Sequence, residues 1–470
     1  MRTHALPSAP AQRQAWWFVA FIAVLVALPL PFGGNRPWAS DVFAALCAAM
    51  LLGLAWDFYR LRESWPTGAP LYRLATSAAL LALVALWAVA QTLGWTPAAW
   101  HHPLWQSVRA MPDATSGTVS LDPDRFAESL ARLLAYAACF LLAFFAGRDA
   151  TRALRLVKAL AIAAAVYALY GLIVQSTGAA TILWYDKWAY RELLTSTFVN
   201  KNSYATYAAL GLQCCIALLW HRLKHRPNDA LPPDSALAAQ LERFGKRDIF
   251  YVLMGLIVLG ALVFTGSRAG VASGGAGCFA LLLLLAVNRR WGWARWLPLV
   301  AVGVALTLGF MSLGNMATIN RLDETQVEAD AAARLAAYDI ASDAIAEQPL
   351  HGYGLGGFEN AFRLFRNPSL DLWFQHAHND YLELMVELGV PAALMLLAAI
   401  ALLLSCCAFG VWRRKRQEIF CILALSATAT VGLHALADFS MQIPAVAATY
   451  AALLGLGVAQ SWSTREKGHD

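Results

Sequence analysis

The chain has 470 residues, of which 59% are hydrophobic and only 14% are charged, and its mean hydropathy is +0.51. This composition excludes a soluble globular domain and is typical of a polytopic membrane protein, because the apolar runs are long enough to cross a bilayer as helices. The formal charge of +6 does not indicate nucleic-acid binding, because most basic residues flank the apolar runs, where they set the topology.

In chain order, the apolar runs predict an all-α fold with about twelve transmembrane helices in a single integral membrane domain over residues 1–470. The first run lacks a small-x-small cleavage site, so we interpret it as an uncleaved span and not as a signal peptide. The predicted spans are 15–34, 38–56, 75–94, 126–146, 154–175, 203–220, 249–265, 270–288, 295–313, 382–408, 419–436 and 443–461.

The distribution of Lys and Arg predicts the orientation. With the N-terminus in the cytoplasm, about two thirds of the 36 basic residues fall on the cytoplasmic side, and every short cytoplasmic loop is basic. Both termini are then cytoplasmic. A polar cytoplasmic loop at 221–248, broken by Pro232 and Pro233, is predicted to be a solvated connector.

The longest predicted outer loop covers residues 314–381. Its Ala-rich stretch 323–346 has apolar residues at helical spacing, which predicts a helix lying on the outer surface. The glycine-rich stretch 352–357 breaks regular structure, and a second short helix is expected at 358–365.

Four outer basic residues are not explained by topology, because positive charge is disfavoured in short outer loops; they are Lys187, Arg191, Lys201 and Arg268. Arg191 precedes a polar row that includes Asn200 and Asn202 at the start of the sixth predicted span. Two arginines from separate loops can hold a diphosphate, because guanidinium binds phosphate oxygens bidentately. A salt bridge at the rim or a contact to lipid headgroups is the alternative interpretation.

The segment His376-Ala-His-Asn-Asp380 lies where the long loop meets the tenth predicted span, and three hypotheses compete for it. The first is a zinc site using His376, His378 and Asp380. The second is a general base, because the pKa of imidazole lies near neutral pH. The third is a polar helix cap, with Asn379 or Asp380 at the N-cap. We expect no metal, because all eight cysteines lie in apolar runs and no further Cys or His cluster supports one.

Two further pairs have helical spacing. His434 and Asp438 are four residues apart near the outer end of the eleventh predicted span, and we expect them on one helical face. An intramembrane His–Asp pair is either a site or a structural bond between helices. Glu128 and Arg132 have the same spacing and are expected to pair with each other.

Four stretches together resemble a known family. They are Arg191 with Thr197–Asn202, Thr265–Gly270, Pro349–Phe358 and His376–Leu384. In these residues the chain is similar to the O-antigen ligase and polymerase superfamily of bacterial inner-membrane glycosyltransferases. The similarity covers about residues 190–440.

The resemblance implies a glycosyltransferase C-like helical fold with its site at the periplasmic face of the inner membrane. Members transfer a glycan, with inversion, from an undecaprenyl-diphosphate carrier to a sugar hydroxyl in surface polysaccharide (lipopolysaccharide) biosynthesis, without a metal, nucleotide sugar or other cofactor. His378 corresponds to the family's base, and Arg191 and Arg268, with Lys201, to its diphosphate-binding residues. The residues expected to support them are His376, Asn379, Asn200, Asn202, His434 and Asp438.

The implied partners are the carrier-linked glycan, the bilayer, and either an acceptor glycan or lipid A core. A polymerase would also be expected to have a chain-length regulator. The resemblance leaves ligase and polymerase open, with polymerase slightly favoured by the segment Pro349–Phe358 and the long loop.

Three rival classes were weighed. A lipid-linked glycan flippase or transporter is the alternative function, but it needs a central hydrophilic path, and the polar residues here collect at one face. A metal-dependent glycosyltransferase of the dolichol-phosphate-sugar type needs paired acidic residues in the first outer loop, which offers only Asp41. A protein-glycosylating relative commonly has a further C-terminal region.

Overall fold

The computed structural model describes residues 15–61, 71–108, 117–225, 245–289, 324–366, 374–414 and 416–463. This part of the chain is built almost wholly from helices, and one small antiparallel sheet of β1 (Thr181–Ile182) and β2 (Tyr185–Asp186) interrupts them. The helices are α1 (Trp16–Ala27), α2 (Pro37–Leu61), α3 (Leu71–Gln91), α4 (Leu104–Val108), α5 (Pro123–Gly147), α6 (Ala150–Ser176), α7 (Lys201–Lys224), α8 (Lys246–Phe264), α9 (Arg268–Arg289), α10 (Glu324–Glu347), α11 (Phe358–Phe365), α12 (Asp380–Leu388), α13 (Val390–Arg413), α14 (Glu418–His434) and α15 (Pro444–Ala459).

The prediction of an all-α polytopic membrane protein is confirmed. Among the described residues, eight helices are long and apolar enough to cross a membrane, namely α2, α3, α5, α6, α7, α8, α9 and α13. The apolar helices α1, α14 and α15 are shorter. Each predicted span corresponds to one apolar helix, apart from 382–408, which is divided into α12 and α13, and 295–313, which lies outside the described residues together with most of the loop 221–248.

The helix α15 lies at the centre of the bundle. Every one of its residues is buried, and it packs on α5 and α14. A helix that is apolar all round is expected to be enclosed by other helices, because it has no polar face to expose. Around it, α9 packs on α14, α7 packs on α8, and α13 packs on α3. We call the end of the bundle at which α7, α9, α13 and α15 begin the site end.

The long loop packs as a small unit against the site end. The helices α10 and α11 agree with the helices predicted at 323–346 and 358–365. Their apolar side chains form a separate core with α12, which includes Ala337, Tyr353 and Phe362. The parts of the predicted loop at 314–323 and 367–373 lie outside the described residues.

The tenth span differs from its prediction. A single helix was expected over 382–408, but Gly389 adopts φ 77° and separates α12 from α13. A Cβ at this glycine would lie 2.4 Å from the carbonyl oxygen of Leu350. The backbone N–H of Val390 donates to Pro349 O at 2.8 Å, and that of Tyr353 donates to Val386 O at 2.9 Å. The glycine-rich segment of the loop therefore docks on the break and fixes the direction of α12.

Candidate functional site

The segment joining the long loop to α12 carries the two predicted histidines. Asn379 is the N-cap of α12, and its Oδ1 accepts hydrogen bonds from the backbone N–H groups of Tyr381 at 3.0 Å and Leu382 at 3.2 Å. The cap prediction is confirmed, although the helix that it starts is α12 and not the span itself. His378, just before the cap, has φ 53°, in the left-handed region that few non-glycine residues occupy. This turn directs the His378 ring toward the loop that follows α14.

His378 pairs with a buried carboxylate. Its Nδ1 lies 3.1 Å from Oδ1 of Asp438, whose side chain is completely buried and also accepts from the backbone N–H of Phe439 at 2.8 Å. Burial raises the pKa of Asp438, but its hydrogen bond with His378 and its electrostatic interactions with His378 and His434 outweigh the effect of burial and lower the pKa to about 2. An ionised carboxylate only accepts, so His378 donates from Nδ1 and keeps Nε2 for accepting a proton.

His376 pairs with a different carboxylate. Its Nδ1 lies 2.8 Å from Oε1 of Glu383, while Oε2 of Glu383 accepts from the backbone N–H of Ala377 at 2.9 Å. Burial lowers the pKa of His376, but the charge and hydrogen bond of Glu383 raise it overall. The Glu383 carboxylate therefore favours the protonated form of His376.

One aromatic ring contacts both histidines. Phe439 stacks on His376 with 4.4 Å between ring centroids and meets His378 edge-on at 4.9 Å. Phe374 meets His378 on another side at 5.5 Å. These contacts fix the planes of the rings, which is what a directed proton transfer needs.

His434 and Asp438 do not share a helical face, so that expectation was wrong. The helix α14 ends at His434, and Asp438 follows a turn over 435–437. His434 Nδ1 instead lies 3.1 Å from Ser440 Oγ, and Ser440 Oγ lies 3.2 Å from Thr206 Oγ1 of α7. Through these hydrogen bonds His434 links α14 to the start of α7, while Asp438 pairs with His378.

The loop that carries Arg191 and Lys201 is hydrogen-bonded to the turn that carries Arg268. The backbone N–H of Leu194 donates to Phe264 O at 3.2 Å, and Lys201 Nζ donates to Gly266 O at 3.5 Å. The loop before α7 and the turn between α8 and α9 are therefore joined. Arg191 and Arg268 are both exposed there, and Arg191 donates to Lys187 O at 2.9 Å.

The two asparagines of the polar row have structural partners. Asn200 is the N-cap of α7, and its Oδ1 accepts from the backbone N–H of Asn202 at 2.8 Å. The backbone carbonyl of Asn202 accepts from Thr206 Oγ1 at 3.1 Å. Both asparagines are buried, so they hold the start of α7 in place. Separately, Arg132 Nη2 lies 3.8 Å from Glu128 Oε1, which confirms the predicted pairing of these two residues.

The sequence did not predict the side chains of the long loop that bind the backbone around His378 and Asp438. Tyr338 of α10 donates its hydroxyl hydrogen bond to His378 O at 2.8 Å and lies 3.3 Å from Leu436 O. Arg334 donates to Ala437 O at 3.5 Å. These side chains bind backbone carbonyls, for which no residue pattern exists. The helical spacing of Tyr338 with the apolar residues of α10 was the one available signal.

Residues 253–397 match the family model described as O-antigen ligase. The chain carries an O-antigen ligase domain. The matched segment begins in α8 and ends in α13, so it includes Arg268, the long loop and the histidine segment. The resemblance found from the sequence motifs is therefore confirmed. Arg191, Lys201 and Asp438 lie outside the matched segment. No curated protein matches the chain.

Proposed function

We propose that this membrane protein is an inverting glycosyltransferase that moves a glycan from an undecaprenyl-diphosphate carrier to a sugar hydroxyl at the periplasmic face of the bacterial inner membrane. Its role would be that of an O-antigen or exopolysaccharide polymerase, or of an O-antigen ligase. The observation that carries the proposal is the His378–Asp438 pair at 3.1 Å, at the same end of the bundle as the loops that carry Arg191 and Arg268, in a chain with an O-antigen ligase domain.

His378 is the general base in this mechanism. Its Nε2 takes the proton of the acceptor hydroxyl as the oxygen attacks, and the buried Asp438 stabilises the imidazolium that forms. A positioned base of this kind contributes about 10²–10⁴-fold to a rate. The acceptor oxygen forms its bond to the anomeric carbon from one side while the bond to the carrier phosphate breaks on the other, which inverts the anomeric centre.

Arg191, Arg268 and Lys201 stabilise the leaving group. The departing carrier diphosphate gains negative charge, and two guanidinium groups and an ammonium neutralise it as it develops. Arg191 and Arg268 are exposed, which leaves them accessible to a phosphate group entering from outside the bundle.

The test is reconstitution of the full chain in liposomes with undecaprenyl-diphosphate repeat units, with and without lipid A core. A product ladder from the donor alone supports a polymerase, and product only with lipid A core supports a ligase. No transfer by folded protein in either case contradicts the proposal and favours a flippase. Arg191→Ala and Arg268→Ala are expected to raise the KM for the donor, while Arg413→Ala, at the opposite end of the bundle, leaves it unchanged.

A further inference from the structure

Two arginines meet at the end of the bundle opposite the site end. Arg148 directly follows α5, and Arg414 directly follows α13. Both bind the end of α15. Arg148 Nη1 donates to Ala459 O at 2.6 Å. Arg414 Nη2 donates to the side-chain oxygen of the next residue, Gln460, at 3.4 Å. The pair therefore lies on the far side of the bundle from the histidine segment.

Close helix packing fixes the position of both arginines. A Cβ at Gly147, just before Arg148, would lie 3.0 Å from the Cβ of Ala459. A Cβ at Gly410 would lie 2.8 Å from the Cα of Ser461, and the Gly410 carbonyl accepts from the backbone N–H of Arg414 at 2.9 Å. The two glycines thus let the ends of α5 and α13 approach the end of α15 closely, so the arginines are held by the backbone as well as by their side chains.

The pair presents hydrogen-bond donors that lack acceptors. An arginine has five N–H donors, and within the described residues each of these two uses one of its groups, Nη1 or Nη2, on α15. Arg414 Nε is buried and has no hydrogen-bond partner among the described residues, and the same holds for Nε1 of Trp462. The Trp462 ring lies under Arg148, with 4.3 Å between its centroid and the guanidinium carbon. Because a buried donor without an acceptor is costly, an acceptor from outside the chain would stabilise this arrangement.

The charge of the pair is also left without a counterion. Burial, and then the positive charge of Arg414, lower the pKa of Arg148 to about 10, so Arg148 stays protonated at neutral pH. The acidic residues closest in the chain are engaged elsewhere. Asp149 accepts from the backbone at the start of α6, and Glu418 pairs with Lys224. Within the described part of the chain no carboxylate forms a salt bridge with either arginine.

Exposed aromatic side chains place this end of the bundle at the depth of lipid headgroups. They are Trp412 near the end of α13 and Trp56 and Tyr59 near the end of α2. Between the last two, Phe58 contacts Phe145 of α5 at 5.0 Å between ring centroids, so α2 and α5 end side by side. Trp and Tyr concentrate at the membrane–water interface. The arginine pair, which follows the ends of α5 and α13, therefore lies near the level of phospholipid phosphates, on the cytoplasmic side in the predicted orientation.

We propose that Arg148, Arg414 and Trp462 form a binding site for the phosphate group of an anionic phospholipid in the leaflet at this end of the bundle. Guanidinium groups bind phosphate oxygens bidentately, and the indole N–H supplies a further donor. Basic pockets between membrane helices bind anionic headgroups for the same reason. Both arginines are half-buried, so they remain accessible from the surrounding lipid. The bound lipid joins the ends of α5, α13 and α15, and its binding does not depend on the proposed function.

The test measures lipid binding to the full-length, delipidated protein in detergent. Phosphatidylglycerol, phosphatidylcholine or inorganic phosphate is added, bound lipid is titrated by native mass spectrometry, and each melting temperature is compared with that of the same protein without lipid. Wild type should bind phosphatidylglycerol more tightly than phosphatidylcholine. Arg414→Gln should weaken phosphatidylglycerol binding by about tenfold, and Trp462→Phe, which keeps the ring, by about three- to tenfold. Arg413→Gln removes the same charge from the exposed neighbouring residue and should leave the affinity unchanged.

Three results would overturn the proposal. Equal losses in Arg414→Gln and Arg413→Gln would mean that only the general positive charge of this end attracts the lipid. Equal affinities for phosphatidylglycerol and phosphatidylcholine would exclude an anionic headgroup as the preferred ligand. Inorganic phosphate that stabilises wild type as much as phosphatidylglycerol does, and displaces it, would assign the site to a free phosphate. Because every melting temperature has its own lipid-free reference, a variant of lower basal stability still reports on the site.

Discussion

His378 combines an unusual backbone conformation with a fixed ring. A left-handed φ of 53° costs a non-glycine residue about 1–2 kcal/mol, so neighbouring contacts must hold it. Tyr338 binds its carbonyl oxygen and Asp438 binds its ring. Strain that is held in this way at one residue of a polar cluster is typical of functional sites. Asparagine tolerates the same conformation, which makes His378→Asn a replacement that preserves the turn.

Glu383→Gln tests the pairing of His376. The pKa of His376 is raised above its ordinary 6.5 in the folded protein. The His376–Glu383 pair therefore stabilises the folded state fully below pH 6.5, and this stabilisation is lost as the pH rises through the raised pKa. The difference in melting temperature between wild type and Glu383→Gln should therefore be widest near pH 6 and shrink as the pH rises through the raised pKa of His376. A difference that stays constant or grows with pH would show that no charged His376–Glu383 pair forms.

At the residue scale, the sequence identified the chemical groups but not their pairing. The histidines, Asn379 and Asp438 were all recognised from residue type and position. The pairing of His378 with Asp438 could not be predicted, because 60 residues separate the two. The spacing of four residues between His434 and Asp438 predicted a pair within one helix instead. Because α14 ends at His434, Asp438 lies in the following turn, where it can pair with His378.

At the scale of single elements, Gly389 sets the angle between α12 and α13. Gly389→Ala should lower the melting temperature, because a positive φ and a 2.4 Å approach to Leu350 O together cost about 1–3 kcal/mol. Gly260→Ala in α8 is the control, since nothing lies within 4 Å of its added Cβ. Equal melting temperatures for Gly389→Ala and wild type would mean that the break does not depend on glycine.

The helix α10 is expected to position the turn at His378. Tyr338→Phe removes the hydrogen bond to His378 O and should lower kcat by about three- to tenfold, the equivalent of about 1 kcal/mol, with little change in the donor KM. Ser342→Ala is the matched control, because its hydroxyl bonds only the carbonyl of Tyr338 within the same helix. If both variants retain wild-type kcat, α10 does not position His378.

The helices of the long loop were predictable because their signals are local. Alanine content and apolar spacing indicated α10, and glycines on one side of Phe358 indicated where α11 begins. The break at Gly389 was not predictable, because its cause is a carbonyl almost 40 residues earlier in the chain. A run of apolar residues gives the length of a span but not an interruption imposed by another segment.

At the scale of the whole molecule, the order of the apolar helices in the described residues followed from hydropathy alone. Hydropathy did not distinguish the wholly buried α15 from lipid-facing spans such as α13, because both are uniformly apolar. The candidate site combines the loop before α7, the turn before α9, the histidine segment and the turn after α14. These four segments lie close together because of how the helices pack, and no local sequence pattern predicts that packing.

The orientation of the bundle is testable by cysteine labelling. Ser342→Cys in α10 and Thr151→Cys in α6 are exposed positions at opposite ends, and the native cysteines are buried or partly buried. A membrane-impermeant maleimide should label Ser342→Cys in cells with a permeabilised outer membrane, and Thr151→Cys only after lysis, as the positive-inside rule requires. The reverse pattern would place the site in the cytoplasm.

The most direct test of the central claim is the rate of glycan transfer by His378→Asn in liposomes. The substitution keeps the left-handed turn but removes the proton acceptor, so we predict a loss of about 10²-fold or more in kcat, with the melting temperature close to that of the wild type. A folded His378→Asn protein that transfers glycan within a few-fold of the wild-type rate would contradict His378 as the base.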